Sequence, residues 1–479
     1  MSSLRRNVLS NVILTGSTVV LPLLTFPYVT KTLSATSFGQ FLFIDSFTQY
    51  FILISSLGIP LYGLREIAKN KGDKEACTRI VLELTFIQIA LSIILSFLFV
   101  GASFYIHEIG ISKDLVFLGG VYIISSGFLI DWFYQGMEKF SYITIRSLAI
   151  KLCSVVAIFM FVKLENDNYI YYGVLTLTIF VNSLLNISYF FKNFFSLSNY
   201  SFNIRRHIKP LLILFSINAS VSVYVILDSI ILGFLTDSVN VSNYNIPLKI
   251  VKIYWTVIAA VGTVFIPKIA ALHKTSQPHL ISSLMSKSIS VVLLLSLPFC
   301  FFCIVFPTEI LMIISGPKYL EAKVGLQILS LLPLIIGICN IFGTQYLMPI
   351  GQEKTILRAT IGGLIISVAL NFLLIPKLNF LGSVIAATVT ESFVCLFILI
   401  KARQTAYFDV DYSLLFQILL CLFLTYLLSY VILSNITNDL VRIISAFSGY
   451  VVFVLVSQIY FKNTFLNSFL LFKLRRKID

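Results

Sequence analysis

Residues 80–103 read IVLELTFIQIALSIILSFLFVGAS, with one charged side chain, Glu83, near the start and no proline. At 1.5 Å per residue, such a run covers the roughly 30 Å of a bilayer's hydrocarbon core when it is helical. In lipid its backbone N–H and C=O groups must pair within the segment, so it must be a helix. The same pattern recurs along the chain. Apolar runs of about 20 residues give fourteen expected spans, at 11–30, 38–59, 80–103, 115–134, 142–162, 170–191, 211–233, 243–266, 284–306, 324–348, 356–376, 380–400, 413–433 and 440–461.

Composition agrees. Of 479 residues, 58 % are hydrophobic and 12 % charged, about half the ~25 % charged content of globular proteins. Such a chain cannot cover a water-facing surface, which excludes a cytosolic enzyme, a secreted disulfide scaffold and a disordered protein. The net charge of +14 raises the question of a nucleic-acid partner, and the placement of the cations answers it. With the N-terminus in the cytoplasm, Arg5, Arg6, Arg65, Lys69, Lys71, Lys74, Arg79, Arg205, Arg206, Lys209 and the tail Lys473, Arg475, Arg476 and Lys477 all fall inside. Over all loops about 23 cations lie inside, about 6 outside and about 6 within spans, as the positive-inside rule expects. Both termini are then cytoplasmic. The first span is too long for a signal-peptide core, so it is expected to stay.

No phosphate-binding loop, zinc-protease motif or nucleophile elbow occurs. The histidines lack metal-ligand spacing, and Cys300-Phe301-Phe302-Cys303 reads as membrane packing. No metal, cofactor or enzymatic role is expected. Uphill transport would draw on an ion gradient or on a sink beyond the membrane.

Two short matches suggest an internal repeat. Gly136-Met137-Glu138-Lys139 follows span 4 and Gly351-Gln352-Glu353-Lys354 follows span 10; Arg65-Glu66-Ile67-Ala68 follows span 2 and Pro267-Lys268-Ile269-Ala270 follows span 8. Six spans being an even number, two such copies run the same way across the membrane, related by an axis along its normal. The expected organisation is an N-terminal six-helix lobe (1–195), a cytoplasmic linker (196–210), a C-terminal six-helix lobe (211–402), and two extra spans with a basic tail (403–479).

Each mid-membrane charge costs roughly 2.5–3.5 kcal/mol on insertion scales and so needs a reason. Lys151 and Lys252 lie about nine residues, or about 14 Å, into their helices, too deep to snorkel comfortably. Thr144, Ser147, Lys151 and Ser154 form a polar stripe on span 5, and Asn245, Lys249, Lys252 and Thr256 form one on span 8. Such stripes face a bundle interior or a wet cavity. Lys151, Lys252, Lys249 and Arg146 are the candidate cavity cations. Asp45, Asp228 and Glu391 either pair with them or titrate and couple transport to H+ or Na+. Prolines 22, 27, 247 and 267 are expected to bend or end spans 1 and 8.

The run from Asp131 through Trp132, Gln135, Gly136 and Glu138 to Phe140 resembles the W-x-x-Q-G-x-E segment of bacterial polysaccharide flippases, the O-antigen and capsule-repeat exporters. Leu24-Thr25-Phe26-Pro27-Tyr28, Phe38-Gly39, Gln345 to Gly351, and Asn371 through Ile375-Pro376 to Gly382 and Glu391 are similar to further pieces of that family, in the same order. The resemblance covers roughly residues 5–400. It implies two six-helix bundles of the multidrug/oligosaccharidyl-lipid/polysaccharide exporter superfamily, with Trp132, Gln135, Gly136 and Glu138 at the cytoplasmic gate. The implied substrate is an undecaprenyl-diphosphate-linked glycan, turned from the cytoplasmic to the periplasmic leaflet of the inner membrane, with a polymerase and a chain-length regulator as downstream partners. Spans 13 and 14 lie outside the twelve-span pattern of many relatives.

The alternative within the same fold is a cation-coupled multidrug exporter, which should present acids and aromatics to its cargo rather than deep cations. A glycosyltransferase or polymerase on the same carrier would need catalytic groups in an outer loop. The longest such loop, about 307–323, has Glu309 and Glu321 but no histidine or paired acids.

Overall fold

Gln88, Ser92 and Ser96 share one face of the helix formed by residues 74–102 and are buried, while Phe86, Ile94, Phe97 and Leu98 are exposed. That inversion makes sense only with lipid outside, where apolar side chains need no cover and small polar ones let helices approach and bond. The computed structural model describes residues 3–106, 112–196, 203–262, 265–274, 277–404, 408–431, 436 and 438–461. They form helices and turns, with no strand among them. Each of the fourteen apolar runs is mostly helical over its described residues, with turns or breaks inside several of them. Among the described residues eleven helices are long and apolar enough to cross a membrane, judged by length and composition.

The chain divides into two compact units. The first, Met1–Asn245 with Val368–Ser383, holds α1 (Ser3–Thr32), α2 (Ala35–Ser56), α3 (Ile59–Lys69), α4 (Lys74–Ala102), α5 (Lys113–Ser126), α6 (Asp131–Gly136), α7 (Phe140–Phe161), α8 (Asn168–Asn193) and α9 (Arg205–Leu235). The start of α10 (Ser238–Gly262) belongs to it as well. In the second, Ile246–Ser367 with Val384–Asp479, lie the rest of α10, α11 (Ile266–Lys274), α12 (Pro278–Val305), α13 (Pro307–Ile314), α14 (Lys323–Leu329) and α15 (Leu332–Asn340). They are followed by α16 (Glu353–Leu378) and α17 (Phe380–Arg403), which each unit shares in part, then α18 (Tyr412–Val431) and α19 (Asp439–Phe461).

In the first unit α1 packs on α7, α4 and α8 on α5, and α2 on α9. Gly39 of α2 lies so close to the Ser238 backbone that a β-carbon there would collide with its carbonyl oxygen, and Ser242 Oγ donates to Ala35 O at 2.7 Å. The Gln88 amide donates to Ser126 O at 3.3 Å and Ser96 Oγ to Gly120 O at 2.9 Å, fastening α4 to α5. In the second unit one apolar core joins Met285, Ile289 and Val292 of α12 to Phe342, Tyr346 and Val394. A separate cluster seats α18 and α19 against α12 through Ile418, Cys421 and Tyr450.

Three expected spans are not plain helices. Span 2 turns at Leu57 and Gly58, both at positive φ, and continues as the amphipathic α3. Span 4 breaks between α5 and α6. Span 10 is built from α14, α15 and a wider π-type segment, Ile341–Leu347, in which Gln345 accepts from Ser288 Oγ at 2.9 Å. Pro22 and Pro27 lie inside α1 and Pro247 inside α10 without ending these helices, and α11 starts just before Pro267.

The suspected repeats match locally. Ile67 and Ile269 are the fully buried anchors of two short helices, α3 and α11. The two G-x-E-K runs both make the turn that opens the next long helix, but their glycines serve differently. Gly136 is packed against Ile67, whereas Gly351 has open space around it and supplies a positive φ of 80°. Of the linker, residues 197–202 lie outside the described residues. Both described ends are tied to α4, Ser196 N to Thr78 Oγ1 at 3.2 Å and Asn203 N to Glu83 Oε1 at 2.9 Å.

Candidate functional site

Arg146 lies nearly two turns into α7, and its side chain is 5 % exposed. It donates to Asp131 Oδ1 at 2.6 Å and to Asn186 Oδ1, and lies over the Tyr142 ring, 5.2 Å from the centroid. Asn186 Nδ2 completes the triangle to Asp131 at 3.0 Å, and Tyr134 Oη donates to Asn186 O at 2.5 Å. A buried charge needs this much pairing. Arg146 is thus held by protein partners, and Asp131 is its counter-ion.

Lys151, one to two turns further along α7, has a different setting. It is half-buried, and among the described residues its ammonium hydrogen-bonds only to Ser17 Oγ of α1, at a long 3.4 Å. Asp131 acts on it electrostatically without an ion-pair contact. Thr144 and Ser147 of the same stripe are buried, and Ser154 is half-buried. On α10, Asn245 and Lys249 are half-buried while Lys252 and Thr256 are exposed, so that stripe runs from packed to open along the helix.

The three acids also differ. Asp45 is half-buried on α2 and accepts from Gln49 at 3.3 Å. Glu391 is buried on α17. Asp228 of α9 is 2 % exposed; its oxygens accept from Tyr244 Oη at 3.1 Å and from Asn371 Nδ2 at 2.7 Å, and Asn371 Oδ1 accepts from Ser383 Oγ at 3.0 Å. This brings α9, α10, α16 and α17 together on one carboxylate, within the first unit. Asn371 appears in the sequence as part of a family-like run. Tyr244 carries no signal of its own, since its role depends on which faces of α9 and α10 meet.

The W-x-x-Q-G-x-E run forms α6 and fixes α3. The Trp132 ring fills the space beside Gly63, Gly136 lies on Ile67, and Glu138, at φ 57°, pairs with Lys71 at 2.9 Å. Gln135 is half-buried. Close by, Glu83 is fully buried and accepts from Arg206 Nη2 at 2.6 Å and from His207 Nε2 at 2.7 Å. The other ring nitrogen of His207 meets Tyr62 Oη at 2.9 Å. Glu83 and Asp131 are the anchors of two ion-pair networks. Arg442 pairs with Glu309 at 2.8 Å.

Residues 4–273 match the family described as "Polysaccharide biosynthesis protein". The Escherichia coli (strain K12) protein named "Putative O-antigen transporter" is 27 % identical over 414 residues, covering 84 % of this chain and 97 % of the relative. Among solved structures, a lipid II flippase in an inward closed conformation superposes with a TM-score of 0.66 at 16 % identity, over 95 % of this chain and 99 % of that one. An inward-facing multidrug resistance MATE family transporter of the MOP superfamily gives 0.64 at 14 % identity, over 80 % of this chain and 94 % of that one. At such identities these two likenesses speak for the fold. The chain is a multi-pass membrane protein that shares the fold of these two transporters.

Proposed function

Since this chain belongs to the polysaccharide biosynthesis protein family, we propose that it is a flippase for lipid-linked glycans. Its substrate is an undecaprenyl-diphosphate-linked oligosaccharide repeat unit of O-antigen or another surface polysaccharide. It moves this from the cytoplasmic to the periplasmic leaflet of a bacterial inner membrane, with both of its own termini cytoplasmic. The relative in Escherichia coli, matched over almost its whole length, supports the substrate class.

The observation that carries the reading is Lys151. A lysine kept for structure at this depth would be locked against a carboxylate, because an unpaired charge costs several kcal/mol there. This one is half-exposed and held by a single long bond to a serine. It can therefore exchange partners, as a group that meets a passing diphosphate must. Lys252, exposed on α10, and Lys249 serve the same purpose from the second lobe. Arg146 acts at one remove, by holding Asp131 and Asn186. The polyprenyl tail stays in lipid while the charged head crosses a cationic cavity, and rocking of lobe 1–195 against lobe 211–402 alternates access. H+ or Na+ is taken up at Asp228, the acid whose carboxylate is met by donors from α10 and α16. A polymerase and a chain-length regulator act on the product.

A strain making the matching glycan tests this. Deleting the gene should leave the lipid-linked intermediate in the cytoplasmic leaflet, and Lys151→Ala or Lys252→Ala at equal expression should restore surface polysaccharide only weakly. Full rescue by both variants would remove these lysines from the path; normal surface polysaccharide in the deletion strain would end the flippase reading. Export of cationic drugs with no change in the glycan would favour the multidrug alternative.

A further inference from the structure

After the kink at Leu57 and Gly58, α3 carries Arg65 and Lys69 one turn apart on one exposed side, while Ile59, Gly63 and Ile67 are buried. Facing them is the first part of α9, with Lys209, Pro210, Ile213 and Leu214. Between the two helices lies an open cleft of about 500 Å³, a volume typical of small-ligand sites. Three cations line it, against one acid, Glu66, which bonds Lys69 at 2.8 Å. Arg65 and Lys209 have no hydrogen-bond or ion-pair partner among the described residues.

The cleft is a built feature. Its Tyr62 wall is pinned by the bond to His207, which in turn is locked on the fully buried Glu83. From the other side Trp132 and Gly136 fix α3 through Gly63 and Ile67. The cleft's chemistry is two-sided: the charged groups of Arg65, Lys69 and Lys209 on one hand, and Pro210, Ile213 and Leu214 on the other, with Ile213 55 % exposed. Leu212 beside it is exposed too, so the apolar wall runs on into the lipid-facing surface of α9. A free anion would use only the cations. A lipid whose head is a phosphate or diphosphate would use both.

We propose that the α3–α9 cleft binds the phosphate-bearing headgroup of a membrane lipid, with Arg65 and Lys209 on the phosphate and Ile213 and Leu214 along the first carbons of the chain. The site is separate from the deep lysine positions.

Native mass spectrometry of the full-length protein in neutral detergent can test it, with phosphatidylglycerol, undecaprenyl diphosphate or inorganic pyrophosphate titrated in separately. At least one of the two lipids should bind, and the Arg65→Gln/Lys209→Gln variant should lose about tenfold or more in affinity for it. The control Lys192→Gln/Lys401→Gln, with the same charge change at exposed positions, should lose less than about twofold. Glu66→Gln, which removes the one acid, should bind more tightly, a gain that misfolding cannot produce. Tighter phosphatidylglycerol binding marks an ordinary anionic phospholipid as the occupant, and tighter undecaprenyl diphosphate binding marks the glycan carrier. Equal losses in the cleft and control variants, or pyrophosphate binding as tightly as the lipids, would overturn the proposal.

Discussion

Two cations one to two turns apart on α7 have opposite roles. Arg146 is paired with Asp131 and Asn186 and lies over the Tyr142 ring, whereas among the described residues Lys151 hydrogen-bonds only to Ser17. From the sequence both are simply deep charges on one polar face. Depth is legible because it needs only the helical rise; partnership is not, because Asn186 lies 40 residues away on a helix whose facing side no periodicity fixes. The distinction makes two predictions. Asp131→Leu strands a buried guanidinium and should cost about 3 kcal/mol. Arg146→Met should cost less than half of that, because Asp131 is partly exposed and can hydrate; thermal unfolding of the purified protein in detergent reads both. Lys151→Arg should keep more glycan transport than Lys151→Ala, since charge matters there more than a fixed geometry.

Among the elements, α4 was the most readable: one long apolar run, buried on its Gln88, Ser92 and Ser96 side as lipid requires. The breaks were harder to foresee. The kink before α3 depends on Leu57, a residue with no turn preference, held at φ 45°. The π-type segment in span 10 is accompanied by the Ser288–Gln345 bond, which links two distant helices. The family-like pieces turn out to be joints: Phe38-Gly39 seats α2 on the Ser238 backbone, and Trp132 and Gly136 seat α3. Gly39→Ala should therefore lower the unfolding temperature, by an overpacking cost of about 1–3 kcal/mol. Gly16→Ala on α1, where a β-carbon meets nothing within 4 Å, should be neutral or slightly stabilising.

For the whole molecule, membrane residence and helical architecture followed from composition and run length alone. The carboxylate cluster did not, since Asp228, Tyr244, Asn371 and Ser383 are spread over more than 150 positions and meet only in the folded chain. If Asp228 takes up the coupling ion, Asp228→Asn should bind substrate normally but lose the acceleration that an imposed H+ or Na+ gradient gives in proteoliposomes. Equal acceleration in the variant would move the coupling site elsewhere. The most direct measurement uses the same vesicles, loaded on one leaflet with undecaprenyl-diphosphate-linked oligosaccharide, and follows its arrival on the other with a membrane-impermeant sugar-modifying reagent. The wild-type protein should move the glycan, and the Lys151→Ala/Lys252→Ala variant should do so at least about tenfold more slowly. No movement above protein-free vesicles, or equal rates for both proteins, would contradict a cationic path through this fold.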